Sequence, residues 1–264
     1  TEVVASIKSR DEILAALFGV LALTDLLKVG RRDHWPSMST SAVWFVLAML
    51  SKENAITLFA VAPLLLFVFT PVTRRTLGFA STGWIGAVLF YLGVRGGVQG
   101  TIMSNDQIVL ANNGLVAAHT LGERLATAFT MLDRYLGLLV FPRTLSWDYS
   151  WPQIPIVGPG SPAALLAIGV HVALLAVGGV LAWRRHVAGF AILFYLVSMA
   201  VTANVFFLLA ATMGERFLFT PSIGFCLLLG WLLWRGLGPG RAEGASATPM
   251  IAVAAVLVLL GGAR

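Results

Sequence analysis

Charged residues are scarce in this sequence. Of its 264 residues, 11% are Asp, Glu, Lys or Arg and 58% are hydrophobic. A soluble globular domain carries roughly 25% charged residues. The shortage of charge excludes an ordinary soluble enzyme and predicts an all-α membrane protein that crosses the bilayer several times.

Cysteine and clustered metal ligands are also missing. Cys226 is the one cysteine, so the sequence contains no disulfide framework. The four histidines lie far apart without ligand spacing, so we expect no metal site from them, and metal dependence is left open. The net charge of +6 comes from short basic pairs between apolar runs. Because these pairs form no continuous basic stripe, we expect no nucleic-acid partner.

Long apolar runs set the organisation of the chain. A helix needs roughly 20 apolar residues to cross hydrocarbon that is about 30 Å thick. Runs of suitable length occupy 12–28, 77–94, 161–182, 187–210, 217–234 and, more weakly, 249–262. The run 41–70 is interrupted by polar residues at 51–54, which predicts two short helices around a turn. The total is about eight membrane helices.

The segment 95–160 mixes apolar, polar and charged residues and is a poor candidate for a span. Its stretch near 121–141 predicts an outer helix that lies along the membrane interface. The predicted organisation is therefore a membrane core over 1–235, a linker over 236–248 and a last membrane helix over 249–264.

The basic residues favour one side of the membrane. With a turn at 51–54, the basic residues of four short loops share one face: Lys28, Arg31, Arg32, Arg74, Arg75, Arg184, Arg185, Arg235 and Arg241. The short loops opposite carry Lys52 and Arg216. The positive-inside rule then places the N-terminal segment, 95–160 and Arg216 on the outer side, which is periplasmic or lumenal. The composition favours a bacterial inner membrane, with the endoplasmic reticulum as the alternative.

An adjacent acid and base, Glu215 and Arg216, separate two runs without charge, 187–212 and 217–234. A charge in hydrocarbon costs roughly 2.5–3.5 kcal/mol unless it is partnered or hydrated. The pair therefore indicates a polar cavity at the outer face. An interfacial ion pair that ends a helix fits the same pattern, both here and at Lys52-Glu53.

Four stretches of the chain resemble, in the same order, the transmembrane and tetratricopeptide-repeat (TMTC) O-mannosyltransferases and their bacterial relatives. The first three stretches are 1–14, which opens Thr-Glu-Val-Val-Ala; 50–57, which holds the Lys-Glu turn; and 135–150, which contains Phe-Pro and Trp-Asp-Tyr. The fourth combines 203–207 with 214–226, which opens Gly-Glu-Arg-Phe. That family consists of integral-membrane glycosyltransferases of the GT-C type.

The resemblance implies transfer of a mannose-like sugar from a polyprenyl- or dolichyl-phosphate donor to a hydroxyl of a protein or glycan on the outer face. No other cofactor follows from it. The resemblance and the convergence of polar residues together suggest three groups: catalytic carboxylates Glu2, Asp148 and Glu215; lipid-phosphate ligands Arg10, Lys52 and Arg216; and further cavity residues Asp11, Glu53 and Tyr149.

The chain also departs from the family pattern. The family carries two further spans and an acidic outer loop upstream, together with tetratricopeptide repeats downstream, so we expect this sequence to be incomplete at both ends. Phe219 and Thr220 stand where the family has Tyr and Leu. Catalysis then depends on an upstream acidic loop. The alternative is a non-catalytic GT-C-derived subunit of a larger membrane complex, whereas a transporter is disfavoured because the two halves show no inverted symmetry.

Overall fold

The computed structural model describes residues 3, 6–32, 36–71, 73–99, 108–142, 145–146, 149 and 152–237. These residues contain eight α-helices and no strand, which confirms the predicted all-α membrane class. The helices are α1 (Arg10–Arg32), α2 (Pro36–Ser51), α3 (Leu58–Phe69), α4 (Arg74–Gln99), α5 (Leu121–Val140), α6 (Pro162–Trp183), α7 (Val187–Met199) and α8 (Phe219–Leu237). Residues 236 and 237 of the predicted linker belong to α8, whereas the rest of the linker and the predicted last membrane helix lie outside the described residues.

Within the described ranges, three helical segments are long and apolar enough to cross a membrane: Arg10–Arg31, Pro162–Trp183 and Glu215–Arg235. Shorter apolar segments occupy Pro36–Ser51 and Glu53–Phe69, on either side of the predicted polar turn. The helix α2 ends at Ser51 because the backbone of Lys52 is extended (φ −153°, ψ 131°), and a 3-10 helix follows over Glu53–Thr57. The interruption at 51–54 therefore divides the run into two helices.

The helix starts follow local capping chemistry. The Thr120 hydroxyl accepts from the Glu123 amide while the Glu123 carboxylate accepts from the Thr120 amide, and this capping box starts α5. Ser161 caps α6, with Pro162 at its first position. A helix thus occupies the stretch predicted near 121–141.

The helices pack as two groups that meet through α3 with α7, α3 with α6 and α1 with α8. In the first group α1 packs on α2 and α2 on α4, around Phe45 and Trp84, whose stacked rings have centroids 4.0 Å apart. In the second group α6, α7 and α8 are successive neighbours and α5 packs on α6. A Cβ on Gly189 would lie 2.1 Å from the Ala182 backbone nitrogen, so only glycine permits the tight turn between α6 and α7.

One predicted boundary is wrong. The apolar run 187–210 was expected to form a single span, but α7 ends at Met199. The chain then turns at buried Thr202 and Asn204, and Asn204 adopts a positive φ of 56°. The side-chain amide of Asn204 forms hydrogen bonds with the following loop, and these replace the backbone hydrogen bonds that would continue the helix.

Candidate functional site

Lys52 sits at the centre of a charged cluster. Its Nζ lies 3.0 Å from the Asp11 carboxylate and 2.7 Å from the Glu12 carboxylate. Both carboxylates lie in the first turn of α1, where the positive end of the helix dipole favours them. The Glu12 side chain is only 4% exposed, whereas that of Asp11 is 40% exposed. One lysine is therefore shared by a buried and a hydrated carboxylate.

A second ion pair lies beside the first. Arg95, near the end of α4, pairs with Glu53 and donates to the Tyr91 hydroxyl at 3.0 Å. Asp11, Lys52, Glu53, Tyr91 and Arg95 line an open cleft of about 480 Å³ together with apolar residues of α2 and α4. Polar groups from α1, from the turn after α2 and from α4 therefore meet at one cleft.

Glu215 connects the start of α8 to the loop after α5. One of its carboxylate oxygens accepts from the Ser146 amide at 2.7 Å, and the Tyr149 hydroxyl donates to the same oxygen at 3.5 Å. Partial burial and the negative charge of Glu215 together raise the pKa of Tyr149. Tyr149 is therefore a neutral hydrogen-bond donor at physiological pH.

Arg216 follows in the 3-10 helix Glu215–Leu218, and its guanidinium lies 5.3 Å from the centroid of the Phe217 ring. It is close enough to Glu12 to act on that carboxylate electrostatically. A small, mostly apolar cavity whose lining includes Glu12, Lys52 and Thr220 lies between the first turns of α1 and α8. Arg216 and the Lys52 cluster therefore lie near each other.

A buried hydrogen-bond frame holds the segment that leads to Glu215. The Asn204 side chain donates to the carbonyls of Ala211 and Thr212, and its oxygen accepts from Leu209 N and from Asn113 Nδ2 at 2.8 and 2.9 Å. Buried amides fully paired in this way fix one loop conformation.

Tyr135 of α5 completes this frame at Gly214. Its hydroxyl accepts from the Gly214 amide at 2.9 Å and lies 3.3 Å from the Gly214 carbonyl. Burial raises the pKa of Tyr135, which therefore stays neutral. The residue immediately before Glu215 is thus fixed to α5.

The structure brings together most of the predicted site residues that it describes: Asp11 with Lys52, Glu53 beside them, and Glu215 with Tyr149 and Arg216. Arg10 is exposed and forms no ion pair with a described carboxylate. Glu2 and Asp148 lie outside the described residues. No group of three or more potential metal ligands occurs within the described ranges.

Two residues, Glu12 of the Lys52 cluster and Tyr135 of the frame at Gly214, were not predicted from the sequence. Glu12 shares the helical spacing of the buried Ala15, Gly19 and Ala22. That periodicity places Glu12 on the packed face of α1. Tyr135 carried no such signal, because its partner Gly214 is 79 residues away.

Comparison with curated proteins finds human Protein O-mannosyl-transferase TMTC4, which is 25% identical over 87% of this chain. The chain spans 36% of the length of that relative. No family model and no solved structure matches the chain. The similarity supports a relation to TMTC proteins, in agreement with the four resembling stretches and the apolar helices.

Proposed function

We propose that the chain forms most of the membrane core of a GT-C type glycosyltransferase. Its reaction is transfer of a mannose-like sugar from a polyprenyl- or dolichyl-phosphate donor to an acceptor hydroxyl on a protein or glycan. The observation that carries the proposal is the meeting of three chain segments, which bring together the Glu12–Lys52 ion pair and Arg216, with Glu215 adjacent to Arg216 in sequence. The similarity to TMTC4 supports the same reaction class.

Helix length supports a recessed site. The 16 residues of α2 rise about 24 Å and the 13 of α7 about 20 Å. Both values are shorter than hydrocarbon of about 30 Å. If both helices start at the basic face, Lys52 and the loop after Met199 begin below the opposite, outer surface. The cleft lined by Lys52 then opens to the periplasm or lumen while it remains within reach of a lipid headgroup.

The cations suit the phosphate of the donor. Arg216 offers a planar guanidinium that binds phosphate oxygens in pairs. Lys52 has three N–H donors, of which two face Asp11 and Glu12, so one is left for a phosphate oxygen. The two cations would stabilise the negative charge that develops on the leaving phosphate.

The carboxylates suit proton transfer. The acceptor oxygen would bond to C1 of the sugar as the bond from C1 to the phosphate oxygen breaks, and the phosphate would leave with the electron pair. Glu215 would take the acceptor proton as general base. Tyr149, kept neutral by burial and by Glu215, would orient that carboxylate.

The test is transfer of labelled mannose from the polyprenyl-phosphate donor by membranes that contain the protein. We expect Arg216→Ala to lower turnover by roughly 10²-fold or more, since it removes a donor to the developing charge. Arg235→Ala is the matched control, because Arg235 also lies over an aromatic ring, at 5.5 Å from Trp231, near the other end of α8. Equal turnover in both variants would contradict the phosphate role of Arg216.

Absence of transfer by the unaltered protein, with stable association with other membrane subunits, would favour the non-catalytic alternative.

A further inference from the structure

The open cleft between α1, the turn after α2 and α4 carries balanced charges. Among the described residues that line it, the two carboxylates and two cations are Asp11, Glu53, Lys52 and Arg95. An anionic group placed in the middle of this cleft would meet as much repulsion as attraction. The balance favours an uncharged polar group as the occupant.

The ion pair between Glu53 and Arg95 keeps hydrogen-bonding capacity for a ligand. Glu53 accepts from Arg95 through Oε2, and its side chain is 58% exposed, so Oε1 is left as an acceptor. Arg95 donates through Nη1 to both Glu53 and Tyr91, so Nη2 is left as a donor. The Tyr91 hydroxyl accepts from Arg95 and keeps its own proton to donate.

This mixture of acceptor and donors matches a group with several hydroxyls. Water hydrates the polar groups of an open cleft in the free protein, and a ligand that replaces it must reproduce the same hydrogen bonds. Adjacent hydroxyls can do so, because each one both donates and accepts. A sugar ring has this chemistry without any charge.

Helix lengths place the cleft between the phosphate and the outer water. The 16 residues of α2 rise about 24 Å, whereas Arg95 lies 21 positions after Arg74 at the start of α4, about 32 Å along that helix. If both helices start at the basic face, Arg95 lies nearer the outer surface than Lys52 by roughly 8 Å. The headgroup of a lipid-linked sugar has the same order, with the sugar farther from the hydrocarbon than the phosphate.

Lys52 connects the cleft to the proposed phosphate site. It lines both this cleft and the cavity between the first turns of α1 and α8. A phosphate held by Lys52 and Arg216 would bring the sugar that is bonded to it to the cleft. The acceptor hydroxyl is expected instead at Glu215, which bonds to the loop after α5.

We propose that the cleft binds the sugar of the lipid-linked donor, with Glu53, Arg95 and Tyr91 as hydrogen-bond partners of its hydroxyls. This role rests on the proposed function and adds to it the residues that recognise the sugar rather than the phosphate. Glu53 accepts from one hydroxyl, and Arg95 and Tyr91 donate to its neighbours. A sugar with one of these hydroxyls turned away leaves a polar group of the cleft unpaired, so the three residues also determine sugar specificity.

The test compares two lipids that differ only in the sugar, polyprenyl-phosphate mannose and polyprenyl phosphate, for binding to the full chain in lipid nanodiscs. The double variant Glu53→Ala/Arg95→Ala removes a partly exposed ion pair and leaves the net charge unchanged. We expect it to bind the mannose lipid about tenfold or more weakly, the effect of losing a hydrogen bond to a charged group, and to bind the sugar-free lipid as before.

Two further variants support the comparison. Tyr91→Phe keeps the ring and should weaken binding of the mannose lipid alone, by about two- to tenfold, the effect of one neutral hydrogen bond. Asp25→Ala/Lys28→Ala removes another ion pair of α1, towards the opposite end of that helix, and should change neither affinity. If the first double variant melts far below the unaltered protein, Tyr91→Phe decides the question.

Equal weakening for both lipids, or weakening for neither, would overturn the assignment of the cleft to the sugar. The proposed function would stand in that case if Arg216→Ala still weakened the binding of both lipids. Failure of the unaltered protein to bind either lipid would contradict the proposed function itself, and the sugar site with it.

Discussion

Replacement of Lys52 by Met removes a cation that pairs with both Asp11 and Glu12. The Lys52 side chain is 18% exposed and that of Glu12 is 4% exposed, so the pair is largely buried. Removal of one partner of a buried ion pair costs about 3–5 kcal/mol, because the other charge stays buried without compensation. We expect Lys52→Met to reduce the free energy of unfolding by about this amount.

The two carboxylates should respond differently. Asp11 is 40% exposed, and a solvent-exposed pair contributes only about 0–1 kcal/mol, so Asp11→Asn should have a small effect. Glu12→Leu combined with Lys52→Met replaces the buried pair by apolar groups. This double variant should return to within about 1 kcal/mol of the unaltered protein, since such replacements are often neutral or stabilising.

The assay is denaturant unfolding in mixed micelles, followed by circular dichroism of the helices. A loss for Asp11→Asn as large as that for Lys52→Met would refute the assignment of Glu12 as the buried partner. Failure of the double variant to recover stability would refute it as well.

Three further predictions concern the scaffold. Asn204→Ala should unfold more easily than Asn204→Gly by about 1–2 kcal/mol in denaturant titrations, because both lose the buried bonds but only alanine is strained at φ 56°; equal losses would contradict this reasoning. Gly189→Ala should destabilise by about 3 kcal/mol or more, because its Cβ meets backbone, whereas Gly179→Ala, with open space, should gain about 0.5–1 kcal/mol; the reverse order in melting temperature would refute the packing of α6 on α7. A cysteine at position 111 should react with a membrane-impermeant maleimide from the outer side and one at position 184 should not; the opposite pattern would invert the proposed topology.

The features that could be predicted from sequence were those that local patterns determine. The polar interruption at 51–54 predicted two helices, because a charged turn cannot continue an apolar span. The Glu215-Arg216 pair was recognised by its position between two uncharged runs, and in the structure Arg216 lies near Glu12 of the Lys52 cluster.

The features that could not be predicted depend on distant partners. The end of α7 was missed because the run through 210 is apolar, and Asn204 interrupts it by bonding to Asn113, 91 residues away. The ion pair of Glu12 was not predicted because its partner, Lys52, lies 40 residues away in the sequence. Local propensity contains no information about such contacts.

Under the proposed function, Arg216 and its neighbours hold the phosphate of a lipid-linked sugar. This role is tested by the binding of polyprenyl-phosphate mannose to the protein in nanodiscs. We expect the affinity of Arg216→Ala to be lower by about 10- to 100-fold, the range of one or two hydrogen bonds to a charged group, while Arg235→Ala binds as tightly as the unaltered protein. Equal affinity in all three proteins would contradict the claim.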